Sequence, residues 1–196
     1  LIEINNKLES GRTCRYPIKR VDIKPLTMGV GFSEALHENI FLGQLPNRVI
    51  IGMLTNKAFN GDATSNPFNF QHFDINHLGA YVDGQCVGSG KPLKLNIGAH
   101  DSVEAYRNLQ TVLGVYSANI DNGIDIKKFE EGSTFFAFDL SPDLNDAGAL
   151  DVRRNGHFRL ELGFSKALTE VTTIICLGEF DSNIYIDRNR NVMTDY

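Results

Sequence analysis

The chain has 196 residues, 42% of them apolar and 22% charged, with a formal net charge of −5. That suits one substantial domain, or at most two small ones, of ordinary soluble composition, and the acidic balance argues against a whole-domain nucleic-acid footprint. No apolar run approaches a membrane span and "LIEINNKLES" is not a signal peptide. Cys14, Cys86 and Cys176 are far apart and odd in number, so a zinc knuckle or a full disulfide framework is not expected. Reduced, mostly buried thiols and folding inside a cell fit better. Leu1 is not an initiator Met, so the chain reads as a fragment or processed product.

Short β segments broken by Gly, Asn, Asp and Pro dominate. "RYPIKRVDIKPLTM" alternates around Val21 and Ile23, with Asp22 and Lys24 on the opposite face. A weak helical turn is expected in "SEALHENI". "RVIIGML" at 48–54 is a short apolar run that suits a buried strand. In "NPFNFQHFDINHLGAYVDG" the rings of Phe68, Phe70 and Phe73 are expected to enter the core from a strand; the competing reading exposes some of them to a neighbouring subunit. Asp83-Gly84 between apolar flanks is the strongest hairpin signal. "DSVEAYRNLQTVLGVYS" is helical, with Asp101 or Ser102 as cap and Val103, Tyr106, Leu109, Leu113 and Tyr116 near a 3.6-residue period. "DIKKFEEG" is a second helical candidate.

"STFFAFDLS" alternates through Phe136, Phe138 and Leu140. "HFRLELGF" puts Phe158, Leu160, Leu162 and Phe164 on one face, with Arg159 and Glu161 on the other. "VTTIICLGEF" and "NIYIDRNRNVMTDY" end the series. About eight strands with one or two short helices in loops predict an all-β, antiparallel, eight-stranded jelly-roll sandwich. An immunoglobulin-like Greek key shows the same pattern. Residues 1–15 read as an N-terminal extension or linker and 16–196 as one domain.

Chemistry-bearing patterns are weak. Asp187, Asn189 and Asn191 alternate as in the start of a calcium loop. Val192 stands where such a loop needs Gly, and the chain ends before its bidentate Glu. A polar strand end or turn is expected. His72 and His77, five apart, share neither a helix face nor a strand face, and no H-E-x-x-H occurs. Ser102, Ser133 and Ser165 lack a nucleophile-elbow context, and Cys86 and Cys176 read as small hydrophobes. "GSGKP" lacks P-loop spacing and reads as a loop between strands. Glu130-Glu131 beside two lysines reads as a solvated turn, as do "RRN" at 153–155 and "RNR" at 188–190. No catalytic, cofactor-binding or metal residue is assigned, and no cofactor or small-molecule substrate is expected.

"YPIKRVDIK" at 16–24, "ENIFLGQLPNRVIIGML" at 38–54 with "AFNGDATSNPFNFQHFDINHLGAYVDG" at 58–84, and "FRLELGFSKAL…EFDSNIYIDRNRNVMTDY" occur in this order. Together they resemble the major capsid, hexon-like proteins of Polinton (Maverick) elements and adintoviruses. The resemblance runs from about Tyr16 to Tyr196. It implies a double jelly-roll subunit assembling as homotrimers into a capsid lattice, with penton or minor capsid proteins as further partners. It implies no catalytic residue. Such subunits are much longer than this chain, which has room for one sandwich, and the match to the family's ending makes it the C-terminal jelly roll. The expected location is a virion or virus-like capsid, made and assembled inside the host cell. The loop-rich stretches 57–67 and 117–132 are the expected sources of lateral contact. Two other readings stand beside this one: a ligand- or carbohydrate-binding jelly roll using exposed aromatics, and a sandwich enzyme with a metal held by scattered His and Asp.

Overall fold

The computed structural model describes residues 9–88, 90–99, 101–115, 120–141 and 154–195. Its strands in chain order are β1 (Cys14–Met28), β2 (Glu34–His37), β3 (Arg48–Thr55), β4 (Ile75–Val82), β5 (Gln85–Cys86), β6 (Leu93–Lys94), β7 (Phe135–Asp139), β8 (Phe158–Phe164), β9 (Thr172–Ile186) and β10 (Val192–Thr194). Helices α1 (Asn56–Phe59), α2 (Val103–Val112) and α3 (Ile126–Glu131) lie in the connections.

All strand pairings are antiparallel and nested: β1 with β9, β2 with β8, β3 with β7, and β4 with β5. This is one long hairpin folded over on itself, which separates a jelly roll from an immunoglobulin-like Greek key. Sheet A has the order β1-β9-β3-β7 and sheet B the order β2-β8-β4-β5. β6 extends the β5 edge of β4, and β10 pairs with the far end of β9, past the end of β3. Ten strands thus fill eight strand positions.

Because side chains alternate across a strand and directly opposed residues share a face, the register identifies each face. Sheet A sends Val49, Ile51, Met53, Phe136, Phe138, Ile174, Cys176 and Phe180 inward. Sheet B answers with Leu78, Ala80, Phe158, Leu160 and Leu162, and all of these are at most 4% exposed. Phe41 bridges the layers, 5.6 Å from Phe180 and 5.9 Å from Phe158. Gly178 makes room for it, since a Cβ there would lie 2.7 Å from the Phe41 ring.

The hairpin at Asp83-Gly84 forms as read: φ is +49° and +83°, both positive as a type I′ turn requires. α2 ends at Val112, earlier than the expected period through Leu113 and Tyr116, with Gly114 at φ +72° just past its C-cap Leu113. Its buried face is Ala105, Leu109 and Val112, while Val103 is 58% exposed and Tyr116 lies outside the described residues. Ser102 holds the N-cap position without a capping bond; its hydroxyl donates to Glu130 Oε1 at 2.6 Å. α3 is capped by Asp125, which accepts from the Lys128 amide at 2.7 Å.

Three local expectations are corrected. "SEALHENI" is no helical turn, because Ala35 pairs with Leu162 and His37 with Leu160, and cross-strand pairing with β8 overrides local helix propensity. β9 is one strand of 15 residues where two segments were expected, held straight by pairing along its length with β1. Phe68 and Phe73 sit in turns and Phe70 in an isolated bridge to Ser133 rather than in a core strand, while the Phe73 ring still packs against the core. A turn from the His72 carbonyl to the Ile75 amide, with Phe73 at φ +47° and Asp74 at φ +53°, precedes β4.

Candidate functional site

Two loop ends, two outer sheet faces and several open depressions are the surfaces where this scaffold could act. At one end lie the connections 29–33, 56–74, the described residues of 95–134, and 165–171, tied together by backbone bonds such as Gly31 N to Leu168 O (2.8 Å) and Asn56 N to Val171 O (2.8 Å). This end carries Phe68 (78% exposed), Phe32 (59%), Val30 (58%) and Phe59 (43%). Phe68 therefore follows the competing sequence reading, a ring left in solvent. Phe70 instead packs on Phe135 at 4.6 Å and covers Gly52. Of the two stretches expected to supply contacts, 57–67 is exposed for most of its length. The second gives Phe129 to the core at 0% exposure, and residues 117–119 lie outside the described residues.

A depression of about 500 Å³ at this end is lined by His72, Asp74, Glu130, Glu131, Lys166 and Glu170, among others. Several of its polar groups are already engaged. His72 Nδ1 accepts from the Asp74 amide at 2.9 Å, Lys166 reaches Asp74 at 3.3 Å, and Glu130 receives the Ser102 hydroxyl. Glu130 and Glu131 belong to α3 rather than to a solvated turn, and Glu131 faces Lys127 at 3.9 Å. His77 lies on β4, its Nε2 3.8 Å from Glu161, so the two histidines serve different carboxylates. Among the described residues no group of three His, Cys, Asp or Glu side chains gathers around a common point.

The "DRNRN" stretch is the turn between β9 and β10. The Asp187 carboxylate accepts from the Asn191 amide and its side-chain nitrogen, each at 2.8 Å. These bonds stabilise the anion and lower its pKa, so its oxygens hold the turn closed. Asn183 at the end of β9 is fixed in the same manner by Asp195, at 2.9 and 3.0 Å. "GSGKP" joins β5 to β6, with Gly88 and Gly90 at positive φ and Ser89 outside the described residues. In "RRN", Arg153 lies outside the described residues and Arg154 donates to the Leu140 carbonyl.

All three cysteines are free thiols: Cys176 is buried, Cys14 and Cys86 half-buried. Burial pushes the Cys176 thiol up to about 12 and raises Cys86 as well, helped there by Glu161, so neither is an activated nucleophile.

The outer face of sheet B is mostly polar, with Leu36 of β2, 56% exposed, as an apolar exception. Tyr81 covers Gly79, where a Cβ would meet the ring at 2.7 Å, and the Arg159 guanidinium lies over the ring at 4.4 Å. Arg159 in turn pairs with Glu161 at 3.0 Å. Burial, then Glu161, raises the Tyr81 pKa. A neighbouring trough of about 650 Å³ is lined by Glu34, Leu36, His77 and Gly163, among others. Among the described residues no helix is long and apolar enough to cross a membrane.

Sheet A's outer face was missed by the sequence reading. Val21 and Ile23 of β1 point outward, at 52% and 54% exposure, while Asp22 and Lys24 share the inward side with Gly178 and Cys176 at the open flank of the sandwich. The available signal was the unbroken apolar runs of β3 and β9, which mark strands apolar on both faces.

No protein-family model matches the chain. An uncharacterized protein of Caenorhabditis elegans, F54H12.2, is 29% identical over 200 residues, covering 98% of this chain and 47% of its own length. The chain therefore spans about half of that relative. Among solved structures, a chain of the cryo-EM structure of the Sputnik virophage aligns with a TM-score of 0.56 at 13% identity, over 93% of this chain and 39% of its own. PBCV-1 VP54, fitted into a reconstruction of Sputnik, aligns at TM-score 0.51 and 9% identity, over 94% of this chain and 52% of its own. A chain of the PBCV-1 virus capsid aligns at 0.51 and 10% identity, over 95% and 52%. These similar structures are components of virus particles, and the fold they share with this chain is the jelly-roll sandwich.

Proposed function

We propose that the chain is a structural subunit of a virus-like icosahedral capsid: one jelly roll, the C-terminal one, of a double jelly-roll major capsid protein of the Polinton and adintovirus kind. The observation that carries this reading is one of proportion. Nearly the whole chain superposes on virus-particle chains of which it covers 39% to 52%, and it spans 47% of its worm relative. In each case the longer chain has room for a second sandwich. The sandwich domain starts with β1 at Cys14, two residues before the boundary expected at 16. Its core is closed by its own two sheets, which leaves loop ends and outer faces for lateral contacts with copies of itself. In this reading the subunit forms homotrimers, meets penton or minor capsid proteins in the lattice, and resides in a virion or virus-like capsid assembled in the host cell.

Electron microscopy of the product of the complete reading frame tests this. Trimers with a six-sided outline, or closed shells, are the expected result. A monodisperse monomer whose remaining half is an unrelated catalytic domain would overturn it.

A further inference from the structure

The register of sheet A places whole apolar rows on its outer face. One row runs Ile23–Leu177–Ile50–Ala137 across all four main strands, and the next runs Pro25–Ile175–Gly52–Phe135, with Phe70 laid over its end. Val21 joins them at the β1 edge. Ile23 and Val21 are more than half exposed, while Ile50, Leu177, Ile175 and Phe135 are half-buried. An antiparallel sheet with one wet face ordinarily alternates apolar-in and polar-out, so this face has the composition of a covered surface. The Thr27–Thr173 row ends it on one side, where Asn56 at the start of α1 donates to the Thr173 hydroxyl at 3.0 Å. On the other side run charged rows with Lys19 and Arg48 set against Glu179, Asp181 and Asp139. Lys19 meets Glu179 at 2.8 Å and Arg48 meets it at 3.6 Å.

We infer that this face is the seat of a second copy of the same chain, which deepens the capsid reading and rests on it. Two features fit a copy. The charges bordering the apolar rows, two positive and three negative, nearly cancel, although the chain as a whole carries −5, so this is a face where two acidic copies can meet without strong repulsion. The area fits a weak contact. With strands about 4.8 Å apart and same-face residues about 6.8 Å apart, the Val21 row and the two apolar rows span about 400 Å² per copy. The pair then covers about 800 Å², the range of a transient contact. An apolar centre with a charged border is the usual anatomy of such an interface. A contact of that size is weak alone and suits a lattice built from several.

Sedimentation velocity on the 196-residue chain from about 1 to 200 µM tests this. The expected result is a concentration-dependent oligomer whose dissociation constant rises about tenfold or more in Ile23→Lys and in Val21→Glu, with far-UV circular dichroism unchanged. Leu42→Lys, at an 84% exposed position in the 38–47 connection, keeps the wild-type association. A wild-type chain that stays monomeric throughout overturns the inference, and so does an oligomer indifferent to both β1 variants. Shell formation by the longer polypeptide is scored separately. Shells that persist with Ile23→Lys remove this face and leave the capsid reading intact. A chain that pairs through Ile23 while the longer polypeptide forms no shells does the reverse.

Discussion

Sheets A and B contribute the same kind of surface to the space between them and opposite kinds to the outside. Inward, both present alternating Leu, Ile, Val and Phe side chains close to zero exposure. Outward, sheet B carries Tyr81, Arg159, Glu161 and His77, each engaged with a neighbour, whereas sheet A carries rows of Ile, Leu, Pro and Phe. A sandwich needs only one apolar face per sheet. Sheet A therefore carries more apolar surface than that minimum, and Val21, Ile23 and Pro25 of β1 are its exposed part.

The largest test of the comparison removes one ring from each inner face. Phe136→Ala in sheet A and Phe158→Ala in sheet B, both at 0% exposure, should each cost about 3–5 kcal/mol in chemical denaturation. Ile23→Thr on the outer face should shift the monomer by no more than about 0.5 kcal/mol. If Phe136→Ala proved as mild as Ile23→Thr, sheet A would not share the core with sheet B.

These inner faces were also the most legible part of the sequence. The alternation of Phe158, Leu160, Leu162 and Phe164 is what a half-buried strand requires, and Asp83-Gly84 carries its own backbone requirement, so both could be read locally. β2 could not, because "EALH" consists of good helix formers for the most part and becomes a strand only through β8. The backbone at 68–74 was misread as a strand because the turn before β4 puts Phe73, a bulky residue that seldom does so, at positive φ. The outer face of β1 was hidden for a different reason. Alternation shows that Val21 and Ile23 share a side, but the pairing with Glu179 and Leu177 decides which side, and a one-residue slip would reverse it.

A smaller effect contrasts two glycines, each covered by aromatic rings. A Cβ on Gly52 would lie 2.7 Å from Phe70 and 3.2 Å from Phe135, which also pack on each other; a Cβ on Gly79 would meet only Tyr81. Gly52→Ala should cost about 1–3 kcal/mol because neither ring can yield without disturbing the other. Gly79→Ala should cost less than about 1 kcal/mol because the half-exposed Tyr81 ring can swing outward. Equal costs from equilibrium denaturation would mean that the outer face of sheet A is no more tightly packed than that of sheet B.

On sheet B the outer polar layer should contribute modestly. Arg159→Ala removes the guanidinium over Tyr81 and the 3.0 Å pair with Glu161. Both groups are about a third exposed, so the combined loss should be about 1 kcal/mol or less. It should shrink at high salt, since the ion pair is screened while the ring contact is not. A loss that grows with added salt would contradict an electrostatic layer.

The smallest expected effect is a slope with pH, and it belongs to the edge of sheet B. His37 of β2 sits opposite Leu160, whose side chain is in the core, and its Nε2 is buried with no hydrogen-bond partner. Burial disfavours the imidazolium and lowers its pKa from 6.5. The unfolded chain then binds the proton more readily than the folded one, so stability is complete above the unfolded value. It declines as pH falls through about 6.5, until the folded state also protonates. His37→Leu should flatten the part of the wild-type slope between pH about 7.5 and 5.5 that His37 contributes, leaving the shares of other histidines unchanged. Denaturation midpoints at those two pH values, measured for both proteins, decide it. Parallel slopes would mean that the imidazole is as well solvated folded as unfolded, and that the β2 edge stands open where sheet B was expected to close over the core.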